Sequence, residues 1–139
     1  MITGNCECSK VQYEVDCDIK DFSHCHCSQC RRLHGAAFAA FAAFASFGGV
    51  ENNKFKYTSG EKDLRNYASS ESSNRVFCDN CESNILVAVD SEPDDLYLAM
   101  GTVNGDPVCP PGYHQFIGSK ALWHEICDDL PQHVTETDD

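Results

Sequence analysis

Residues 75–89, with the sequence RVFCDNCESNILVAV, place a pair of cysteines between two apolar runs. Arg75 to Phe77 leads into the turn Cys78–Cys81, and Ile85 to Val89 leaves it, so the stretch predicts a β-hairpin built around that turn. A Cys-x-x-Cys turn directs two sulfur atoms at one metal ion with little backbone strain. The hairpin is therefore expected to carry part of a metal site at its tip.

Two other groups of cysteines lie upstream of this hairpin pair, Cys78 and Cys81. The N-terminal pair is Cys6 and Cys8 in Cys6-Glu7-Cys8, and the central triad lies in Cys25-His26-Cys27-Ser28-Gln29-Cys30. Zinc prefers about four tetrahedral ligands, so seven thiolates divide naturally into four and three. Four thiolates make a closed structural site, whereas three leave one position for water or a substrate.

The spacing alone permits two divisions of the seven sulfurs. The N-terminal pair could join the hairpin pair, which leaves the central triad intact, or Cys27 and Cys30 could join the hairpin pair as a two-knuckle ribbon. The first division is favoured because the second would leave Cys6, Cys8 and Cys25 separated from one another, without a compact group of their own. The first division would also connect the N-terminal strand to the hairpin and close the long loop between them, so that metal binding contributes to the free energy of folding.

The chain has ten cysteines in 139 residues, a content that secreted proteins use for disulfides and cytosolic proteins for metal ligands. Residues 1–6 show neither the basic nor the apolar region of a secretory signal. The weakly polar run 35–50 is shorter than the ~20 residues of a membrane span. We therefore expect a cytoplasmic protein that binds zinc, rather than one with redox disulfides or an iron–sulfur cluster. The isolated Cys17, Cys109 and Cys127 are interpreted as small hydrophobes or idle thiols.

The charge of the chain restricts its partners. Twenty-two acidic residues against ten basic ones give a formal net charge of −12. No lysine or arginine stripe is available to neutralise phosphates, which argues against binding to nucleic acid and to an anionic membrane surface. The acidic residues near the end of the sequence predict a solvated tail.

Short alternating or apolar runs predict further strands at 11–15, 55–58, 64–67, 96–100 and 114–117, and residues 120–127 predict a short terminal helix. Residues 35–47 are ambiguous, because phenylalanine recurs at every third position among alanines. Alanine and this spacing favour an amphipathic helix, while the surrounding strands leave a buried strand open. In either case the phenylalanines are expected to pack in the core.

Several other side chains are candidates for a role at the metal sites. His26 lies between two cysteines of an extended segment, where its side chain is expected to point away from a metal held by its neighbours. His114 is interpreted as a structural residue or a pocket wall, and Trp123 as a core anchor in preference to a pocket wall. Arg31 could neutralise a substrate carboxylate, although an exposed structural role is favoured.

These motifs resemble the glutathione-dependent formaldehyde-activating enzyme family, which shares its domain with centromere protein V. The resemblance is carried by Gly4-Asn5-Cys6-Glu7-Cys8, by Cys25 to Arg31, and by Phe77-Cys78-Asp79-Asn80-Cys81. The segment His114 to Trp123, followed by Asp129-Leu130-Pro131, is similar to the closing signature of the family. One departure is Glu82, where the family usually has glycine.

The resemblance implies an all-β fold, a zinc-stapled β-tent of small antiparallel sheets with at most short helices. It implies one zinc domain over residues 1–131 and an acidic C-terminal tail over residues 132–139, and it makes residues 36–47 a strand. It further implies two zinc ions. The structural ion is held by Cys6, Cys8, Cys78 and Cys81, and the catalytic ion by Cys25, Cys27 and Cys30.

The activity implied by the resemblance is the condensation of glutathione with formaldehyde to S-hydroxymethylglutathione, classed as a carbon–sulfur lyase reaction. Three thiolates leave a zinc site with a charge near −1, which suits the binding of a fourth thiol better than the polarisation of water. We therefore predict an enzyme that adds glutathione or a similar small thiol to formaldehyde or another small aldehyde. The alternative is a non-catalytic zinc-stabilised interaction module, which a fourth protein ligand on the triad would favour. The oligomeric state is left open, with a homodimer as one option.

Overall fold

The structure is a computed structural model and describes residues 1–44, 54–91 and 96–136. This part of the chain is mainly β, as predicted, with one short helix. The elements are β1 Ile2–Asn5, β2 Gln12–Val15, β3 Ile19–Cys25, α1 Ser28–His34, β4 Ala39–Phe44, β5 Phe55–Ser59, β6 Leu64–Ala68, β7 Ser73–Cys78, β8 Asn84–Val89, β9 Tyr97–Ala99 and β10 Tyr113–Gln115. No helix within these residues has the length and hydropathy needed to cross a membrane.

The strands form two sheets. The small sheet has the order β1-β2-β5 and the large sheet the order β10-β3-β4-β9-β8-β7-β6. All neighbouring strands are antiparallel except β10, which pairs with β3 in parallel. A parallel neighbour cannot be joined by a tight hairpin, and β10 reaches β3 from far along the chain. Its addition brings the C-terminal region beside the end of β3.

The ambiguous alanine- and phenylalanine-rich segment contains the strand β4, while residues 45–47 lie outside the described residues. β4 pairs with β3 on one side and β9 on the other. This pairing on both edges overrides the helix propensity of alanine, since a helix here would leave one edge of each neighbouring strand unpaired. Phe41 and Ala42 are buried, as expected of a central strand.

The predicted helix at residues 120–127 is wrong. The backbone there makes a single turn, in which the His124 N–H donates to the Ala121 carbonyl. Leu122 is fully exposed and Trp123 is 73% exposed, so the interpretation of Trp123 as a core anchor is also wrong. A helix of this length needs an apolar face packed against the protein, and these side chains do not supply one.

Both faces of the large sheet carry a buried apolar cluster. Because successive side chains of a strand point to opposite faces, Leu86 and Ala42 join one apolar cluster, whereas Val87 and Phe41 join another. The first cluster contains Cys6 and Cys78, and the second contains Cys25 and Cys30. Each core thus includes one group of clustered cysteines.

Candidate metal centres

The N-terminal pair and the hairpin pair meet where the end of β1 approaches the end of β7. The Sγ atom of Cys8 lies 3.6 Å from that of Cys6 and 3.8 Å from that of Cys78. All four sulfurs lie within 4.8 Å of one another, and all ten cysteines are free. Four sulfurs at ~2.3 Å from a zinc ion have edges of about 3.8 Å, while a disulfide needs about 2.05 Å. The spacing therefore fits a shared metal ion and not a disulfide.

Two turns present these four sulfurs. In the first, the Ser9 N–H donates to the Cys6 carbonyl at 3.1 Å, and in the second the Glu82 N–H donates to the Cys78 carbonyl at 2.8 Å. The residue after the second cysteine is left-handed in both turns, with φ of 64° at Ser9 and 66° at Glu82. The left-handed backbone lets each turn fold back around its own sulfur pair.

Burial keeps part of this cluster from ionising without a cation. Cys6 and Cys78 are 1% and 0% exposed, and burial raises the pKa of Cys78 to about 11. A neighbouring divalent cation would offset this penalty by favouring the thiolate. The cluster could therefore hold a metal ion, and zinc suits a four-thiolate donor set.

Replacement of Glu82 by glycine is expected to stabilise the hairpin turn. A side chain in the left-handed region costs about 1 kcal/mol that glycine avoids, partly offset by the greater freedom of glycine in the unfolded chain. We expect Glu82→Gly to raise the free energy of unfolding by about 0.5–1 kcal/mol in denaturant titrations with saturating zinc. Glu82→Ala is the control, because it removes the same charge but keeps Cβ. An equal gain in both variants would show that charge, not backbone strain, is responsible.

The central triad is assembled by β3 and α1. Cys25 ends β3, Cys27 caps α1, and Cys30 lies in its first turn. The Cys30 N–H donates to the Cys27 Sγ at 3.3 Å, and the three sulfurs lie within 4.8 Å of one another. Cys25 and Cys30 are buried, whereas Cys27 is half-buried. Access to the three sulfurs is therefore most open beside Cys27.

The helix α1 was not predicted from the sequence. It ends at Gly35, which is left-handed with φ of 59° and donates its N–H to the Arg31 carbonyl. Basic residues occupy its last turn. Glycine directly after a basic turn is a common helix stop, and this signal was available in the sequence.

The three thiols of the triad influence one another strongly. Their mutual hydrogen bonds lower the pKa of Cys27 and raise that of Cys25. Three adjacent thiolates repel one another unless a cation balances them, so this group also fits a metal ion. Within the described part of the chain, no histidine, carboxylate or further cysteine completes the group of three.

A chain of hydrogen bonds runs from His26 to the C-terminal region. His26 Nε2 lies 2.8 Å from His114 Nδ1, and His114 Nε2 lies 3.0 Å and 3.1 Å from the two Asp128 carboxylate oxygens. Burial lowers the pKa of His26 to about 4, and the hydrogen bond from His114 lowers the pKa of Asp128. An ionised Asp128 accepts from His114 Nε2–H, which makes His114 Nδ1 the acceptor for His26 Nε2–H. The chain therefore fixes the tautomer and the orientation of the ring between Cys25 and Cys27.

Aromatic rings line the same end of the large sheet. Phe38 has its ring centroid 5.0 Å from that of His24 and 5.1 Å from that of His26. Phe116, left-handed with φ of 58°, packs against the cluster that contains Cys25 and Cys30. A bulky residue in this conformation is unusual and marks a constrained segment. Phe116 thus packs beside the buried sulfurs of the triad, and Phe38 packs beside His26.

Arg75 is a polar neighbour of the triad that sequence reasoning missed. It lies on β7, is 7% exposed, and directs its Nη2 to Gln29 Oε1 at 3.0 Å and to Cys30 Sγ at 3.5 Å. His114 and Asp128 were likewise not connected to the triad in advance. Arg31, by contrast, has a half-buried side chain whose Nε has no hydrogen-bond partner.

Most of the chain matches one family model, described as "Glutathione-dependent formaldehyde-activating enzyme", over residues 1–119. No curated protein matches the sequence. The fold is similar to the crystal structure of a Rhodobacter sphaeroides protein, a Northeast Structural Genomics target, with 23% identity and a TM-score of 0.58. That alignment covers 75% of this chain and 89% of the other, and at this identity it supports the fold alone.

Proposed function

The chain belongs to the glutathione-dependent formaldehyde-activating enzyme family, and from this premise we propose that it is a zinc-dependent enzyme of the carbon–sulfur lyase type. Its reaction adds a small thiol, glutathione or a similar compound, to formaldehyde or another small aldehyde. The observation that carries this proposal is the sorting of seven sulfurs into a group of four and a group of three. A group of three leaves room for a substrate sulfur.

We assign different roles to the two groups. Cys6, Cys8, Cys78 and Cys81 would hold a structural zinc ion, since four thiolates close the tetrahedron and link the two sheets. Cys25, Cys27 and Cys30 would hold a catalytic zinc ion. When bound there, zinc supplies a Lewis-acid position at which a thiol ionises near neutral pH.

In the proposed addition, a thiol reacts with the carbonyl group of an aldehyde beside the triad. The substrate thiol gives up its proton, its sulfur forms a bond to the carbonyl carbon, and the carbonyl oxygen takes a proton to become a hydroxyl group. The half-buried Cys27 side is the route of entry, while Phe116 packs against the cluster that contains the buried Cys25 and Cys30. The hydrogen bonds from His26 through His114 to Asp128 hold the segment that carries two of the three sulfurs.

The remaining assignments follow the same proposal. Ten free cysteines suit a reducing cytoplasm, where small thiols are also kept reduced. We take residues 1–131 as the zinc domain. The chain continues beside β10 after this domain. There the His133 N–H donates to the His114 carbonyl, and the Phe116 N–H donates to the Thr135 carbonyl. Residues 137–139 of the proposed acidic tail lie outside the described residues.

Exchange measurements by NMR can test the activity. Formaldehyde labelled with carbon-13 and glutathione are mixed with zinc-loaded protein, and the exchange rate between hydrated formaldehyde and S-hydroxymethylglutathione is measured. We expect the protein to raise this rate well above that of buffer, and protein stripped of zinc not to do so. A panel of small thiols identifies the preferred one. Equal rates with and without protein for every thiol would contradict the proposed activity.

A further inference from the structure

Arg75 carries a buried positive charge that has no carboxylate partner among the residues that the structure describes. Within the described residues no salt bridge includes it, and its Nε and Nη1 atoms are buried without hydrogen-bond partners. His34, Phe41 and Leu86 line the same cleft as Arg75. Because a buried charge without a counter-charge is strongly unfavourable, the groups that Arg75 touches among the described residues are the ones placed to compensate it.

The contacts of Arg75 direct it at the central triad. Its Nη2 donates to Cys30 Sγ at 3.5 Å and to Gln29 Oε1 at 3.0 Å. Gln29 is itself held, since its Nε2 donates to the Ser69 carbonyl at 2.9 Å. The Phe41 ring lies 5.9 Å from the guanidinium carbon and restricts the other face. The guanidinium is therefore fixed beside one sulfur of the triad.

We propose that Arg75 is a positioning residue, acting through Cys30, that offsets the negative charge of the triad and thereby lets the site accept an anionic sulfur donor. The inference rests on the proposed function. Three thiolates and a divalent cation sum to −1, and a fourth thiolate makes the sum −2 in a chain whose net charge is already −12. Arg75 returns one positive charge to this site, in a buried environment where the attraction is weakly screened.

The proposal makes a statement about ligand selectivity. Loss of the Arg75 charge should weaken the binding of a thiolate, which is anionic, and leave the binding of imidazole, which is neutral, little changed. A purely structural role would alter both ligands alike, because a distorted triad holds neither well. Comparison of the two ligands therefore distinguishes a loss of positive charge from a distortion of the triad.

Cobalt-substituted protein supplies the readout, because bonds between cobalt(II) and thiolate give charge-transfer absorption. The Arg75→Met variant removes the charge at similar volume, and Arg75→Lys keeps the charge without the planar fork. Lys56→Met is the matched control, since it also removes one positive charge but lies on β5 of the small sheet, 65% exposed and paired with Glu14. Each protein is titrated with 2-mercaptoethanol and, separately, with imidazole.

We expect Arg75→Met to raise the Kd for 2-mercaptoethanol about ten- to a hundredfold and to leave the Kd for imidazole within about threefold. Arg75→Lys should recover part of the loss, and Lys56→Met should match the wild type. The cysteine-to-cobalt band of the triad, recorded without added ligand, should also shift in Arg75→Met. Equal weakening for both ligands, or no change for either, would overturn the role of Arg75.

The binding titrations also separate this inference from the proposed function. A wild-type protein that binds 2-mercaptoethanol but does not accelerate the addition would contradict the proposed function, whereas a loss of thiol binding alone in Arg75→Met would still support the charge effect at the triad. An unchanged band would overturn the role of Arg75 even if the enzyme is active.

Discussion

Replacement of Cys78 by serine is expected to unfold the protein and to release metal from the four-cysteine cluster. Cys78 is completely buried, and its contact with Cys8 joins segments 70 residues apart in sequence. A structural zinc site contributes about 10–16 kcal/mol in small domains, which is as large as the whole free energy of unfolding of a typical domain, about 5–15 kcal/mol. Far-ultraviolet circular dichroism during denaturant titration should show no cooperative transition in this variant.

The matched control for Cys78→Ser is the same substitution at Cys127. Cys127 is exposed and belongs to neither group of clustered cysteines. We expect the free energy of unfolding of Cys127→Ser to lie within about 0.5 kcal/mol of the wild type. A Cys78→Ser protein with the wild-type transition midpoint would show that the cluster does not hold the fold together.

Replacement of Cys27 by serine is expected to abolish activity while the fold remains. The three sulfurs of the triad lie within one short segment, so their loss does not separate distant strands. Cys27 is also half-buried rather than part of the closely packed core. A Lewis-acid metal contributes several kcal/mol to transition-state stabilisation, so the rate should fall about a thousandfold or to the background of the uncatalysed reaction.

The readouts for Cys27→Ser are the exchange rate by NMR, the zinc content and the unfolding midpoint. We expect one zinc ion to be lost and the midpoint to change little. Cys17→Ser is the control, because Cys17 is partly exposed and lies outside both groups. Full activity in Cys27→Ser would contradict the assignment of the triad, and unfolding of this variant would contradict the separation of structural and catalytic roles.

The grouping of the cysteines into metal sites could be predicted from the sequence because neighbouring ligands of one metal ion lie close together along the chain. The pair at Cys78 and Cys81 predicted both the hairpin and a metal site, and the structure confirms the hairpin. The favoured division of the sulfurs is also the one that the structure brings together. What local spacing could not decide was the segment of β4, since its alanines favour a helix and only pairing with β3 and β9 makes it a strand.

Contacts between distant segments were the features that sequence reasoning missed. The parallel pairing of β10 with β3 brings together His26, His114 and Asp128, and no local sequence pattern predicts that pairing. Arg75 reads as an ordinary strand residue, although it lies buried beside Cys30. The prediction of a helix at residues 120–127 is wrong for a different reason. The helix propensity of this segment is not sufficient without an apolar face that packs against the protein.

Native mass spectrometry of the intact protein tests the central claim most directly, because it counts metal ions and disulfides in one measurement. We expect the wild-type chain to carry two zinc ions with all its cysteines reduced, and Cys27→Ser to carry one. A wild-type chain without zinc, with masses lowered by the hydrogens lost on disulfide formation, would contradict the claim that two groups of thiolates hold two metal ions.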